Sequence, residues 1–369
     1  MQEEYIFLLR KLYEGQTAYV RTDVNSRNFS LFRGVKQGDP LSAILFIAVI
    51  ECCMPKLKAR WSRLSRLRRG RGYGLDCTNS DGRLTNLRFA DDIVLFASTK
   101  QDIVKMLRDL KREAVKYGLK IHFGKTVIFT NNLDAANSES VKIDSDSVKI
   151  ASHGDSAKYL GRKLCMLNFH SVEIDHRIAA GWAAFAKFRS EFCGRYVNLN
   201  DKIRLFQATV TPTVLYGCAT WTMNKEFEVK LRTARRRMLR LLFPWRRQRI
   251  VDEQGVAELE PWVEWVQRVT HRIEEYMAAR RVEDWVTSQR RRKFRFAGKL
   301  ARCSDERWSS VLLDWQPANL HGRRVGRPAY RWEDDIIAYA GGDWQHRALD
   351  ASLWRSAEEG FLDFRLCVT

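Results

Sequence analysis

Cysteine pairs of the zinc-binding kind are missing from this chain. It has eight cysteines, but no two are spaced as Cys-x-x-Cys, so the sequence shows no zinc finger or knuckle. His170 and His176 also have no cysteine at ligand spacing. We therefore expect reduced, buried thiols in an intracellular protein.

Long apolar runs are missing as well. The longest, Leu41–Ile50, ends at Glu51 and is too short to span a bilayer, so we expect it to be a buried helix. The segment Met1–Glu4 is acidic, unlike a signal peptide. We expect no membrane partner.

Acidic residues are in deficit. Asp and Glu number 44 against 64 Lys and Arg, which leaves a net charge of +20. Such an excess favours a polyanion, either nucleic acid or an anionic membrane surface. The arginines concentrate in residues 60–71, 232–249 and 290–295, with aromatic residues interleaved. Arginines suit phosphates and aromatic rings suit bases, although most of these rings are better explained as core.

Two adjacent aspartates stand between two strand-like runs. Asp91 and Asp92 separate the apolar stretches 84–89 and 93–97. Neighbouring side chains on a strand point to opposite faces, so only a turn lets both carboxylates reach the same space. Two negative charges held together favour a cation, and Mg²⁺ suits both carboxylate and phosphate oxygens. The motif predicts a metal-dependent phosphoryl-transfer site; the alternative is an ordinary polar hairpin turn.

Three further blocks accompany this turn. They are GVKQGDPLS at residues 34–42, GLKIHFGKT at residues 118–126 and Tyr-Leu-Gly at residues 159–161. Together with the paired aspartates, in this order and at these spacings, they resemble the reverse transcriptases of non-LTR retrotransposons. The resemblance covers most of the chain. It implies RNA-directed DNA synthesis by two-metal nucleotidyl transfer to a primer 3′-hydroxyl.

The resemblance gives the first blocks their roles. Asp91 and Asp92 match the catalytic pair that holds two Mg²⁺ (or Mn²⁺) ions in the intact family, Asp91 most directly. Gln37 and Gly38 match the start of a helix that lines the nucleotide and template pocket. The implied partners are an RNA template, a DNA primer or target and deoxynucleotides, whereas the oligomeric state is left open. Gln37 has a simpler interpretation, as a neighbour of a helix cap.

The later blocks have roles by the same resemblance. Lys125 matches a lysine proposed to protonate the pyrophosphate leaving group. Residues Tyr159, Leu160 and Gly161 match the primer grip, the turn that positions the primer's 3′ end. A surface charge and a core aromatic are the simpler interpretations of Lys125 and Tyr159. This chain has His122 where the family usually has Asn, which leaves the block around Lys125 the less certain match.

One feature of the family has no counterpart in residues 1–33. The family carries a third metal-binding aspartate on a strand before the block at 34–42. The acids here are Glu3, Glu4, Glu14 and Asp23, and none lies in a matching motif. Two carboxylates provide too few ligands to fix two ions. We therefore expect an N-terminally truncated polymerase that is inactive as it stands.

The periodicity of the chain divides it into three regions. Residues 1–165 suit the fingers and palm of a polymerase, in an α+β fold with an antiparallel sheet and helices; within them, 57–74 is expected to be a basic connector. Residues 166–250 are predicted to form a helical thumb and residues 251–369 a mostly helical basic region. In the thumb, Arg232, Arg236 and Arg240 line one face of a helix. That face would bind nucleic acid or simply be solvated.

The last region resembles the C-terminal part of non-LTR element proteins. The matching stretches are 292–299 and 326–335. The second aspartate pair, Asp334 and Asp335, has no flanking strands, and we expect it to lie on a solvated helical face.

Two alternatives to a polymerase stay open. One is a non-catalytic nucleic-acid-binding remnant, and the other is an intron maturase-like protein, which shares the palm and thumb. The family and the arginine runs favour the nucleus, with the cytoplasm as the alternative.

Overall fold

The computed structural model describes residues 3–32, 34–67, 73–77, 83–131, 140–251, 257–303, 308–315 and 330–364. Contacts divide the chain into two compact units, Met1–Asp76 with Gly82–His122, and Cys77–Asp81 with Phe123–Thr369. These units do not coincide with the three predicted regions, which stay a prediction. Arginines 68, 69 and 71 and residues 326–329 of the C-terminal stretch lie outside the described residues.

The first unit contains three helices and six short strands among its described residues. In chain order they are α1 Glu3–Tyr13, β1 Thr17–Ala18, β2 Phe29–Ser30, α2 Pro40–Leu67, β3 Leu75–Asp76, β4 Arg83–Leu84, β5 Asn86–Phe89, β6 Asp92–Leu95 and α3 Lys100–Lys116. The strands pair antiparallel as β1–β2, β3–β4 and β5–β6. The two strand-like runs around the paired aspartates are thereby confirmed as a hairpin.

Helix α2 begins where the sequence predicts it. The Leu41 amide donates to the Asp39 carboxylate at 3.0 Å, so Asp39 caps the helix, and Pro40 suits the first helical position. The helix then runs to Leu67, so the expected connector is wrong over residues 57–67. The indole of Trp61 explains this, since it is fully buried and donates to Asp109 of α3 at 3.2 Å.

The expectation that Leu41–Ile50 is buried is only partly right. The later part of α2 packs into the core of the first unit through Ile50, Met54 and Trp61, but Ile44 is 65% exposed and Ile47 47%. By length and composition alone, Pro40–Ser65 is apolar enough to cross a membrane, and its later part is buried in the core of the first unit. Core helices of soluble proteins have the same length and composition. The absence of a membrane partner stays a prediction.

The second unit is mostly helical. Its elements after the short 3₁₀ turn Phe123–Lys125 are β7 Val127–Ile128, β8 Ser140–Ile143, β9 Asp146–Ile150, β10 Ser156–Tyr159, β11 Arg162–Cys165, α4 Phe169–Lys187, α5 Arg189–Cys193, α6 Leu199–Val214, the 3₁₀ turn Cys218–Thr220, α7 Lys225–Leu242, β12 Arg249–Val251, β13 Ala257–Leu259, α8 Trp262–Ala279, α9 Trp285–Ala301, α10 Trp308–Asp314, α11 Asp334–Ala340, α12 Trp344–Arg347, α13 Ala351–Ser356 and α14 Glu358–Asp363.

The described strands form small separate sheets. The α+β class is confirmed, but the expected single antiparallel sheet is not found among them. Five sheets have two antiparallel strands, and the sixth has the order β7–β9–β8, in which β7 pairs parallel with β9. Strands β8 and β9 pair antiparallel, with Val141 opposite Val148.

Two aromatic-rich cores stabilise the second unit. The larger one extends from Ile174 to Val286 and includes Phe206 stacked on Trp285, with ring centroids 6.0 Å apart. The smaller one is centred on Phe294, whose ring stacks on Trp354 at 4.1 Å. The larger core joins residues on both sides of position 250, where the sequence predicts the end of the thumb region.

Candidate functional site

The aspartate pair lies at a two-residue turn between β5 and β6. Phe89 pairs with Asp92 across the hairpin, so Ala90 and Asp91 form its loop. Ala90 has a φ of +51°, a left-handed conformation that costs a residue with a Cβ about 1–2 kcal/mol. Asp91 and Asp92 are both exposed. The predicted turn is confirmed, and it places the two carboxylates at the tip of one hairpin.

The described residues around this tip give its two carboxylates no partner side chain. No residue in the described part of the chain forms a hydrogen bond or ion pair with the side chain of Asp91 or Asp92. The nearest arginine in sequence, Arg88, is instead directed to Glu51 of α2, at 2.7 Å. That ion pair ties the hairpin to the middle of α2.

Carboxylate oxygens are suitable donors for a hard divalent ion, which usually completes its shell with water and substrate phosphates. Two carboxylates therefore fit one such ion. Within the described ranges, no group of three or more His, Cys, Asp or Glu residues is placed to hold a metal. The tip thus provides two carboxylates, and the described residues add no third acidic ligand beside them.

The Gln37-Gly38 block lies in the same unit, at the turn that leads into α2. Gly38 has a φ of +91°, and a Cβ built on it would meet nothing within 4 Å. Both residues are exposed, so the backbone here is open to a ligand. No hydrogen bond or ion pair between described residues joins this block to Asp91 or Asp92.

Lys125 belongs to the second unit. It closes the 3₁₀ turn Phe123–Lys125 and is exposed. Among the residues that the structure describes, none forms an ion pair with its ammonium group. Its role in the reaction stays a prediction.

The Tyr159-Leu160-Gly161 block forms the predicted turn, between β10 and β11. Tyr159 pairs with Arg162, and the two loop residues both have positive φ, +47° at Leu160 and +77° at Gly161. Two positive φ values in a two-residue loop are typical of the type I′ turn, whose twist matches that of a hairpin. Leucine is an unusual residue in this conformation, so the turn needs support from its surroundings.

Side chains from the helical part of the unit give that support. The Tyr216 hydroxyl donates to the Leu160 carbonyl at 3.0 Å, and the Arg177 guanidinium donates to the Gly161 carbonyl. Glu173, which is fully buried, accepts from the Lys163 amide at 2.7 Å and from Arg177 at 2.8 Å. Sequence reasoning missed these residues. The spacing of four between Glu173 and Arg177 indicates a helical ion pair, but not that it faces the turn.

The three arginines predicted to bind nucleic acid lie on α7 and already have partners in the chain. Arg232 pairs with Glu228 at 3.1 Å. Arg236 pairs with Glu274 of α8 at 2.7 Å, and Arg240 donates to Thr270 of α8 at 3.1 Å. Partial burial, with the nearby charges of Arg237 and Arg236, lowers the pKa of Arg240. Their binding to nucleic acid stays a prediction.

Most side chains of the basic run 290–295 have partners within the chain, although Arg292 and Arg295 are exposed. Arg291 forms ion pairs with Glu283, Glu358 and Glu359. Arg295 pairs with Glu358 at 2.6 Å, and Arg290 donates to the carbonyls of Phe361 and Phe364. Much of this charge therefore holds α9 against the C-terminal helices.

The expected solvated face at Asp334 and Asp335 is wrong for Asp335. This residue is buried and lies 2.7 Å from the ammonium group of Lys293, which is buried too. The reason is that Lys293, which is distant in sequence, supplies the countercharge, and the residues next to Asp335 do not show this.

Comparison with known proteins agrees with the resemblance that the four sequence blocks indicate. Residues 2–164 match the family described as reverse transcriptase (RNA-dependent DNA polymerase). A putative uncharacterized transposon-derived protein of Caenorhabditis elegans is 32% identical over 258 residues, which are 69% of this chain and 84% of that protein. The retrovirus-related Pol polyprotein of a type-2 retrotransposable element of Drosophila melanogaster is 29% identical over 166 residues, 42% of this chain and 14% of the polyprotein.

The chain belongs to the reverse transcriptase family of non-LTR retrotransposons. Members of this family are nucleotidyltransferases that generally use a divalent metal ion. The resemblance that the four sequence blocks indicated is thus confirmed.

Proposed function

We propose that this chain serves RNA-directed DNA synthesis in a non-LTR element. The observation that carries the proposal is the pair of exposed carboxylates, Asp91 and Asp92, at the tip of a hairpin where no described cation compensates them. In this proposal they hold Mg²⁺ or Mn²⁺, which supplies charge neutralisation at the nucleotide phosphates. Gln37 and Gly38 contribute an open backbone to the nucleotide and template pocket.

The remaining parts of the proposal concern the nucleic acid. The Tyr159–Gly161 turn holds the primer's 3′ end, Lys125 donates a proton to pyrophosphate, and an RNA template and a DNA primer or target are the partners. The polymerase palm corresponds to the hairpins of residues 1–165, and the helices of residues 166–250 serve as a thumb. The match of residues 2–164 to a family of RNA-dependent DNA polymerases supports the assignments within that range.

The proposal is tested by measuring metal binding in the presence and absence of a nucleotide. The full chain is loaded with a primer annealed to an RNA template, and Mn²⁺ binding is followed by electron paramagnetic resonance with and without a matching deoxynucleotide. We expect Asp91→Asn and Asp92→Asn each to weaken binding at least ~10-fold, because each removes one anionic donor from the ion. Asp23→Asn, which removes an exposed carboxylate from the same unit, is the matched control and should leave binding unchanged. Equal binding by all four proteins would refute the metal assignment.

Primer extension by the same samples addresses activity. We expect the 369-residue chain on its own to extend no primer in Mg²⁺, because two carboxylates provide too few ligands to fix the two ions that two-metal transfer needs. Synthesis that Asp91→Asn abolishes would overturn the expected inactivity and would support the polymerase assignment.

A non-catalytic nucleic-acid-binding role is the second candidate. It is favoured by the absence of a third acidic ligand at the hairpin tip among the described residues. Duplex binding that is insensitive to metal, to deoxynucleotide and to Asp91→Asn would favour it. The maturase alternative has less support, because both relatives above are named as transposon proteins.

We also propose the nucleus as the site of action, on the basis of the net charge of +20. Arg290, Arg291 and Arg295 are held by hydrogen bonds or ion pairs within the chain, which makes them less available as an import signal. A fluorescent fusion of the full chain should accumulate in nuclei, and exclusion from them would contradict the proposal.

A further inference from the structure

We propose that Tyr216 and Arg177 are positioning residues that fix the Leu160–Gly161 turn and thereby fix the place of the primer's 3′ end. The inference rests on the proposed function, because only that function gives the turn a primer to hold. It adds two residues that lie outside the four sequence blocks.

The turn offers two carbonyls, and each is bound by one of these side chains. Loop carbonyls at a hairpin tip have no partner in the strand ladder and must be satisfied elsewhere. Tyr216, which follows α6, donates to the carbonyl of Leu160 at 3.0 Å, and Arg177 of α4 donates to the carbonyl of Gly161. The orientation of both peptide groups is therefore set from outside the hairpin.

The two donors also hold each other. The guanidinium of Arg177 lies over the Tyr216 ring, 4.7 Å from its centroid, a distance suitable for a cation–π contact. A Cβ added to Gly161 would lie 3.3 Å from the same ring, so the ring packs closely on the turn. The turn, the ring and the guanidinium form one contact group.

Glu173 connects this group to the following strand. Its carboxylate binds Arg177 at 2.8 Å and accepts from the Lys163 amide at 2.7 Å. Arg177 and Glu173 are both buried, where hydrogen bonds are stronger than in water and unpaired charges are costly. The arrangement therefore resists small displacements of the turn.

Tyr216 allows a mild test of the arrangement. It is 49% exposed, so removing its hydroxyl opens no cavity in the core, and Tyr216→Phe keeps the ring against Gly161. The matched control is Tyr196→Phe, because Tyr196 is fully exposed. Arg177→Lys keeps the charge and loses the planar fork that reaches two acceptors, and Arg195→Lys, at an exposed position, is its control.

The first measurement needs no nucleic acid. Amide hydrogen exchange of the full chain is followed in the peptide that covers residues 156–165. We expect roughly 5- to 10-fold faster exchange there in Tyr216→Phe and in Arg177→Lys, because each loses a hydrogen bond to the turn. The peptide over residues 140–150 should be unchanged, and both controls should match the wild type. Unchanged exchange at 156–165 in both test variants would overturn the inference.

The second measurement follows the primer. A DNA primer with 2-aminopurine at its 3′ terminus is annealed to an RNA template and bound by the full chain, and its fluorescence is compared with that of a probe placed internally. We expect the two test variants to lose most of the signal specific to the 3′ end. Their overall affinity, measured by anisotropy, should change less than roughly 2-fold, because phosphate contacts along the duplex dominate affinity.

The possible results distinguish a failure of the positioning inference from a failure of the proposed function. If the wild type shows a 3′-end signal that both test variants retain, positioning by Tyr216 and Arg177 is refuted and the proposed function stands. If the wild type binds the duplex without any 3′-end signal, the primer-holding role of the turn fails and the inference fails with it.

Discussion

The ammonium group of Lys293 lies 2.7 Å from the carboxylate of Asp335, and both side chains are buried. Burial lowers the pKa of Lys293 in spite of the opposing charge of Asp335. The same ammonium group also lies over the Trp332 ring, 5.4 Å from the ring centroid. An ion pair in this setting fixes α9 to α11, and it turns the centre of a strongly basic run away from solvent.

Removing the cation of this pair should destabilise the second unit. We expect Lys293→Met to lower the free energy of unfolding by about 3–5 kcal/mol, because it leaves Asp335 buried without a partner. Urea unfolding followed by tryptophan fluorescence measures the change. Lys299→Met, at an exposed position of the same helix, should change stability by less than about 0.5 kcal/mol. A loss of the same size in both variants would mean that the pair is not what stabilises the contact.

Glu260 should make the stability of the second unit decrease in acid. Two hydrogen bonds from Arg268, at 2.8 and 2.6 Å, lower the pKa of this carboxyl from 4.5 to about 2. A carboxyl with a lowered pKa in the folded state stabilises the fold at pH values above its unfolded pKa, and this contribution is lost as the carboxyl is protonated. The contribution should therefore be complete above pH 4.5 and disappear as the pH falls towards 2.

The check is a comparison of urea midpoints across that range of pH. In Glu260→Gln the part of the acid sensitivity that comes from this carboxyl should be absent. Glu264→Gln, in which an exposed carboxyl is replaced, should retain the acid sensitivity of the wild type. If the two variants respond to acid alike, Arg268 does not act on Glu260 as described.

The sequence predicted the local parts of this molecule well. The apolar run 41–50 predicted part of helix α2, the runs that flank the paired aspartates predicted the hairpin at Asp91, and the block at residues 159–161 matched a turn. Each depends on neighbours within one turn of helix or one hairpin, where periodicity and turn chemistry are informative. The candidate site was found for the same reason, since its blocks are short and contiguous.

What the sequence could not show are contacts between distant positions. Arg291 looks solvated until Glu358 is brought to it, and Asp335 looks exposed until Lys293 is placed beside it. The support of the Leu160 turn by Tyr216 has the same character. Composition reports how much charge a chain carries, whereas only tertiary packing decides which charges face solvent.

Gly161 should be intolerant of a side chain. We expect Gly161→Ala to lower the free energy of unfolding by about 1–2 kcal/mol, since the residue has a φ of +77° and alanine pays for a left-handed conformation. The added methyl group would also lie 3.3 Å from the Tyr216 ring. Gly154→Ala is the control, because a Cβ there meets nothing within 4 Å. Thermal unfolding of the two variants checks the difference, and equal melting temperatures would contradict it.

The basic face of α7 leads us to a prediction about how nucleic-acid affinity depends on salt concentration. If Arg232, Arg236 and Arg240 each neutralise one phosphate, replacing all three by Gln should reduce the slope of log affinity against log salt by about 3, since each contact contributes about 1. Arg204→Gln removes one exposed positive charge from α6 and shows how much of any change comes from net charge alone. Anisotropy titrations of an RNA–DNA duplex over a series of salt concentrations supply the slopes. If the slope stays the same in the triple variant, the duplex binds at another surface of the protein. The ion pair of Arg236 with Glu274 and the hydrogen bond of Arg240 to Thr270 would then fully occupy these side chains.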